Sequence, residues 1–445
     1  MTVRPTPAGC PQASRSSPVP EPGLIVVHSN QPEILRDLVV AWIKRHPLPP
    51  LDNELILVQS NGIAQWLKMA LAADAGGADG EAGGCGIAAG LEVSLPARFL
   101  WQAYRALLGR EAVPESSALD EERLVWRLMR LLPQVGSLPE YGPLHAFLAD
   151  DREQRKRFQL AERLADLFDQ YQVYRADWLA AWATGSDVLP DGRGNSRPLP
   201  AGQRWQPALW RALLADVAAG GAASRAAAIA GRAAVHAAFM ERARQWTAPG
   251  RPDGLPRRLL VFGISSLPQQ ALEVLAMLAR WTQILIGVHN PCRHYWADIV
   301  SDRDLLRRAG GRQPRRPGMP AEVPPELLHA HVQPLLAAWG KQGRDFIDLL
   351  DESDGQPVRG PGDGPMQATR QRIDLFEASA TTSLLQQLQD DILDLRPLHE
   401  TRERWPAVDS RWDSSLRFHV AHSAQREVEI LHDQLLAACN ADPSL

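Results

Sequence analysis

Two apolar runs, Leu24-Ile25-Val26-Val27-His28 and Leu55-Ile56-Leu57-Val58-Gln59, each lead through a short polar turn into a stretch with apolar residues at helical spacing. The first turn offers Ser29 or Asn30 as an N-cap and Pro32 for the opening helical turn, before Leu35, Leu38, Val39 and Trp42. The second passes through Ser60-Asn61-Gly62 into Ile63, Trp66, Leu67 and Leu71. A continuous apolar run marks a strand buried on both faces, and strands that alternate with helices pair in parallel through crossovers. The pattern predicts a βαβ unit at the start of an α/β domain with a parallel sheet.

The rest of the chain divides by the same signals. Leu91-Glu92-Val93-Ser94 reads as a third strand, after a Gly/Ala-rich stretch from Ala75 to Gly90 that reads as a mobile loop. From Pro96 to about Gln245 the pattern is helical, interrupted by a Gly/Pro loop from Pro190 to Gly202. Strand patterns return at Leu259-Leu260-Val261-Phe262-Gly263 and Ile284-Leu285-Ile286-Gly287-Val288, with a helix from Gln269 to Trp281 between them. A Pro/Arg loop (Arg307 to Pro320) and a Gly/Pro/Asp loop (Asp351 to Pro365) bracket another helical piece, and a helix near Ser383–Leu395 follows. A final strand, Leu416-Arg417-Phe418-His419-Val420, precedes a helix from Arg426 to Cys439, and this unpartnered strand–helix start suggests a chain cut short. The expected organisation is a disordered tail (1–22), an α/β domain (23–100 and 255–300), a helical insertion (101–254), a loop-rich helical connection (301–410) and the start of a second α/β domain (411–445).

With 48 Lys+Arg against 52 Asp+Glu, the formal net charge is −4, so the chain does not coat nucleic acid by bulk charge and any such contact comes from local patches. The 14 Trp outnumber the 9 Phe and 5 Tyr and supply large rings for packing or stacking. Cys10, Cys85, Cys292 and Cys439 show no CxxC or CxH spacing, which argues against zinc and disulfides and fits a reducing cytoplasm. No run approaches the ~18–20 apolar residues of a membrane span, and the Pro/Ser-rich tail lacks the apolar core of a secretion signal. A cytoplasmic protein with no membrane partner is expected.

A parallel sheet with a strand-turn-helix near its start is where an ATPase places its phosphate loop. That chemistry needs GxxxxGK[ST], whose backbone N–H groups cradle phosphates, whose Lys reaches the β/γ-phosphates and whose hydroxyl holds Mg²⁺. Here the turn reads Gln59-Ser60-Asn61-Gly62-Ile63-Ala64-Gln65-Trp66, with one glycine and no Lys; Lys68 falls a turn too late and reads as a solvated helix residue. The strand that should end in a metal-holding carboxylate runs instead into Gly263-Ile264-Ser265-Ser266-Leu267. Neither half of the nucleotide chemistry is present.

On the helix expected from about Gln159 to Trp182, Leu160, Leu164, Phe168 and Tyr171 form one apolar face. Asp166, Asp169 and Gln170 lie opposite, with Leu167 at the border and Arg175 further on. That polar face is either simply solvated or a reader of bases: carboxylates accept from base N–H donors, Gln both donates and accepts, and single strands expose those edges. The arginines Arg303, Arg307, Arg308, Arg312, Arg315 and Arg316 could meet phosphates or an acidic partner, or simply populate a loop. The pairs His329/His331 and His419/His422 lack nearby carboxylates or cysteines and read as core or surface histidines, and no G-x-S-x-G elbow is present.

Several segments together resemble the RecC subunit family of the RecBCD helicase–nuclease, exodeoxyribonuclease V. They include His28-Ser29-Asn30, Ile56 through Leu67, Leu95-Pro96-Ala97 with Phe99 and Trp101, and Ala165 through Tyr171 with Val173-Tyr174-Arg175 and Asp177-Trp178-Leu179. Phe262-Gly263-Ile264-Ser265 with Leu267-Pro268, Asn290-Pro291-Cys292-Arg293, Trp339-Gly340-Lys341 with Gly343-Arg344-Asp345, and Gln425 through Glu429 extend the likeness in order along the chain. The resemblance implies an inactive fold similar to helicase superfamily 1, with a RecA-like parallel sheet and a large helical insertion. It implies a non-catalytic subunit that helps split duplex ends, channels the 3′-ended single strand and scans it for Chi. RecB-type helicase–nuclease and RecD-type helicase subunits would complete a heterotrimer, with ATP and Mg²⁺ on those partners and no cofactor in this chain. The family's Chi-contacting positions fall on Gln59, Asn61, Gln65, Leu95, Trp101, Asp166, Leu167, Asp169, Gln170 and Arg175, and on Arg225 through a short Arg-Ala context beside a gap. Asn61 stands where the family commonly has Thr, and the Gly/Ala-rich insertion and the tail are extra. Two other readings stand beside this one: an active helicase with an unconventional nucleotide site, and a scaffold that only holds partner subunits.

Overall fold

A computed structural model describes residues 21–74, 83–115, 117–135, 139–151, 153–190, 195–219, 232–297, 333–355, 369–380, 382–409 and 411–442. The opening follows the predicted alternation: β1 (Gly23–Ser29), α1 (Pro32–Arg45), β2 (Glu54–Leu57), α2 (Asn61–Ala72) and β3 (Leu91–Ser94). Pro32 starts α1, where its missing N–H costs nothing, and the Ser60 hydroxyl accepts from the Ile63 N–H at 3.4 Å to cap α2. The helical insertion then contributes α3 (Pro96–Leu108), α4 (Glu121–Val135), α5 (Gly142–Leu148), α6 (Arg155–Tyr174), α7 (Ala176–Ala183), the strands β4 (Val188–Pro190) and β5 (Ser196–Pro198), α8 (Trp205–Ala219) and α9 (Arg232–Arg244). The chain returns to the sheet through β6 (Arg258–Val261), α10 (Gln269–Leu278) and β7 (Gln283–His289). After α11 (Pro334–Trp339) and α12 (Lys341–Gly355) come β8 (Thr369–Asp374), α13 (Leu384–Leu393), α14 (Leu398–Arg404) and α15 (Ala424–Ala441).

Six strands form one parallel sheet in the order β3-β2-β6-β7-β1-β8. Ile25, Val27, Ile56, Val58, Leu260, Phe262 and Leu285 pack with Leu35, Val39 and Val40 of α1 and with Ala64, Leu67 and Leu71 of α2. The alternate residues Leu24, Val26, Leu55, Leu57, Leu259, Val261, Ile284 and Ile286 are equally buried, which is why these strands read as unbroken apolar runs. The insertion has its own core, built on Leu124, Leu128, Leu164, Phe168, Trp182 and Leu213.

The described residues fall into two compact units, one drawn from 1–289 and 345–375, the other from 290–344 and 376–445. In the second, Arg396 donates to Asp390 at 2.7 Å and to Asp391 at 3.0 Å, and the Trp405 indole N–H donates to Asp391 at 2.7 Å.

The structure departs from the sequence reading in four places. Leu416–Val420 forms no strand: Phe418 is 90% exposed and Val420 96%, and a strand needs a neighbour to complete its ladder. The segment read as a Gly/Pro loop holds β5 and the last residue of its antiparallel partner β4, with Pro190 opposite Ser196. The helix expected across 159–182 is two helices, broken at Arg175, whose backbone leaves helical geometry at φ −138°, ψ 45°. A sixth strand, β8, arises where only loops and helices were expected. The arginine loop and the His329/His331 pair lie outside the described residues, as do 1–20, 75–82 and 356–365. Among the described residues no helix is long and apolar enough to cross a membrane, and no three His, Cys, Asp or Glu cluster as metal ligands.

Candidate nucleic-acid interface

All six strands of a parallel sheet end at one edge, and a crevice opens there where neighbouring strands send the chain in opposite directions. Here that point lies between β2, which leads outward to β3, and β6, which leads the other way to β7. Gln59, just past β2, accepts through Oε1 from the Ser265 N–H (3.4 Å) and hydroxyl (3.3 Å), just past β6, so one amide joins the two diverging turns. Gly263 makes the close approach possible. Its φ is +64°, and a Cβ there would lie 2.8 Å from Ile63 Cγ2 on α2. Gly263→Ala should therefore cost about 1–3 kcal/mol, from left-handed backbone strain and overpacking. Urea unfolding of the chain measures it; a loss below about 0.5 kcal/mol would show that the turn relaxes freely.

Neither turn carries a lysine or a carboxylate, so the residues present do not fit a nucleoside triphosphate with its metal. Asn61 and Gln65 are exposed at the start of α2, one turn apart and hence on one helix face. Leu95 is 53% exposed at the end of β3, which joins β2 through a Val58 N–H to Ser94 carbonyl bond of 3.2 Å. Gln59, Asn61, Gln65 and Leu95 thus share one edge of the sheet. Trp101 is more constrained: its indole N–H donates to the Pro114 carbonyl at 2.8 Å and its ring meets Tyr104 edge-on at 6.1 Å. At the end of β1, His28 is buried and held down to about 3 by that burial and by Arg372, so it stays neutral.

The second group stands on α6. Gln170 donates to Asp166 Oδ1 at 3.0 Å, one turn apart, and both side chains remain accessible. Leu167 is partly buried against the insertion core. Asp169 turns Oδ1 toward Arg232 Nη1 at 3.1 Å, and Arg232 Nη2 also reaches Asp120 Oδ1 at 3.3 Å. Burial pushes the Asp169 carboxyl up from the usual range against the pull of Arg232, with Asp120 and Asp166 adding repulsion. Arg175 is occupied within the chain: it donates to Asp177 Oδ1 at 3.0 Å and Oδ2 at 2.8 Å, donates to the Pro190 carbonyl, and lies 3.9 Å over the Trp178 ring. It clamps the α6–α7 break to β4.

Arg225 lies outside the described residues. Arg232, which the sequence reading missed, is the arginine held against the polar face of α6. A short Arg-Ala context of the kind that singled out Arg225 recurs at Arg232-Ala233 and was the available signal. The sheet edge and α6 form two separate groups, joined by no hydrogen bond or ion pair among the described residues.

Residues 24–395 match the family model described as RecC, N-terminal domain. The RecBCD enzyme subunit RecC of Escherichia coli (strain K12) is 37% identical over 448 residues, covering 95% of this chain and 36% of the relative. That of Haemophilus influenzae is 34% identical over 452 residues, covering 95% and 37%, and that of Mycolicibacterium smegmatis 26% identical over 427 residues, covering 93% and 31%. The chain spans about a third of the length of these curated relatives. An α/β unit with a parallel sheet and a helical insertion, matched along nearly all of its described length, belongs to the RecC N-terminal domain family.

Proposed function

We propose that the chain is the amino-terminal part of a non-catalytic DNA-binding subunit of a RecBCD-type helicase and exonuclease, acting in double-strand break repair by homologous recombination. In this reading it sits in the cytoplasm in a heterotrimer with RecB-type and RecD-type subunits, which carry ATP and Mg²⁺. It helps split duplex ends, guides the 3′-ended strand and recognises Chi. The observation that carries the reading is the makeup of the turns after β2 and β6: where phosphate chemistry needs a lysine and a carboxylate, they and the start of α2 offer the amides of Gln59, Asn61 and Gln65. An amide donates and accepts at once, which suits the mixed edge of an unpaired base and does nothing for a phosphate that an arginine would not do better. Asp166, Asp169 and Gln170 supply the same chemistry on α6, and Leu95 an apolar side chain that a base could stack on. Accessible carboxylates repel phosphates, so in a nucleic-acid path their use is to accept from base N–H groups.

A scaffold that holds partners without reading sequence has one observation in its favour, the internal engagement of Arg175 and Trp101. The test is crosslinking of the assembled enzyme, stalled on DNA with or without the recognition sequence and mapped to residues. Crosslinks at Gln65, Asp166 and Gln170 are expected to appear with the sequence and fade without it. Equal labelling of these positions on both DNAs, or none on either, would overturn the reading in favour of the scaffold.

A further inference from the structure

Helix α9 carries Arg232 and His236 one turn apart, on one side of the helix. Arg232 engages Asp169 of α6, at 3.1 Å, and Asp120. His236 is 8% exposed and closes a chain of polar groups across three helices. Its Nδ1 lies 3.1 Å from the Tyr104 hydroxyl of α3, and its Nε2 lies 2.9 Å from Glu273 Oε2 of α10. With the ring proton on Nε2, the imidazole donates to Glu273 and accepts from the Tyr104 O–H, so both nitrogens are satisfied. Gln269 donates to the other Glu273 oxygen at 2.9 Å, and the Tyr104 ring packs at 5.1 Å on Phe239, also of α9. Burial, the largest single influence, would raise the Glu273 carboxyl, but its interactions with His236, Gln269 and Arg244 together outweigh it and hold the group below its ordinary range, as an anion.

The two turns of α9 therefore face different neighbours. The His236 turn is fixed to α10, which follows β6, and to α3, which starts beside Leu95; the Arg232 turn is fixed to the α6 carboxylate. A hydrogen-bonded polar chain whose centre is buried, as at Tyr104 and His236, admits far fewer arrangements than apolar contact. We infer that the Tyr104–His236–Glu273 chain positions Arg232, and through it sets the direction in which the Asp169 carboxylate is presented to an unpaired base. Arg232 Nη1 lies 3.1 Å from the buried Oδ1 as an ion pair without a hydrogen bond, which leaves Oδ2 as the oxygen to accept from a base N–H. His236, Tyr104 and Glu273 touch no DNA in this scheme and are positioning residues. The inference rests on reading Asp169 as a base contact.

The test uses the assembled enzyme with the full-length subunit carrying Tyr104→Phe, His236→Leu, Arg232→Ala, the His236→Leu/Arg232→Ala pair, or Asp169→Ala. The readout is the ratio of responses on DNA with and without the recognition sequence, beside the unwinding rate on plain DNA. Tyr104→Phe and His236→Leu are each expected to lower the ratio about fivefold or more while plain unwinding stays within about twofold. The double variant should be no worse than Arg232→Ala alone, because His236 acts through Arg232. Additive losses, or equal losses on both DNAs, overturn the inference. Should His236→Leu fail to fold, Tyr104→Phe, which removes one oxygen, decides alone. If Asp169→Ala leaves the ratio unchanged, the base-reading role itself fails. If Asp169→Ala and Arg232→Ala abolish the ratio and Tyr104→Phe and His236→Leu preserve it, only the positioning role fails.

Discussion

Asp169→Ala in the assembled enzyme should cut the response to the recognition sequence by about 5- to 150-fold, the value of one base contact at about 1–3 kcal/mol. The loss is specific because the carboxylate offers nothing to phosphates, so a substrate lacking the sequence never used it. The fold should tolerate the change: Asp169 is only partly buried, and Arg232 keeps Asp120 as a partner at 3.3 Å. The raised Asp169 carboxyl adds a signature in pH. As pH falls this group takes up a proton before an ordinary aspartate does, and a protonated acid has lost part of its capacity to accept. The sequence response should therefore weaken on the acid side before exposed carboxylates titrate, and Asp169→Asn should already be weak at neutral pH. Measured as strand degradation on DNA with and without the sequence, an equal loss on both substrates would contradict the reader role.

How far the sequence revealed this arrangement depended on burial. β1, β2, β6 and β7 are covered on both faces, so their apolar runs stood out and the parallel sheet followed from them. β8 was hidden because Thr-Arg-Gln-Arg-Ile-Asp is an edge strand, polar enough to resemble a loop, and it is fixed by pairing with β1, Val26 opposite Arg372, and by Ile373 packing on the sheet core. The break at Arg175 was invisible because both sides of it are good helix formers; the clamp onto Asp177 and the Pro190 carbonyl is a tertiary event. The amides at the sheet edge were legible as a missing phosphate loop, an absence that spacing alone exposes. Arg232 showed only as a second Arg-Ala context like that of Arg225, and its contact to Asp169, distant in sequence, left no local pattern.

At the opposite edge of the sheet, Arg258→Met should cost about 3–5 kcal/mol, the price of leaving a buried charge alone. Arg258 is fully buried at the start of β6, and Nη1 meets Glu54 Oε1, at the start of β2, at 2.7 Å. Its Nε donates to Gln283 Oε1 of β7 at 2.9 Å, an oxygen that also accepts from the Trp42 indole at 3.2 Å, and Nη2 donates to the His46 carbonyl that ends α1. One guanidinium thus ties three strand starts to a helix end. Burial pushes Arg258 down and Glu54 up, each against the pull of the other, and desolvation of a buried ion pair offsets most of its attraction. What is costly is breaking one side of it. With Met at 258, Glu54 loses its counter-ion and its carboxyl moves further up. The folded state then binds a proton more readily than the unfolded chain, so the deficit should shrink as pH falls through that raised value. Replacing both residues, Arg258→Met with Glu54→Leu, should recover most of the loss, because two apolar side chains leave no charge to desolvate. Urea unfolding at neutral and mildly acidic pH measures all three outcomes. A single-variant loss below about 1 kcal/mol, or one that grows as pH falls, would mean that Glu54 finds solvent and the sheet edge is not held by this pair.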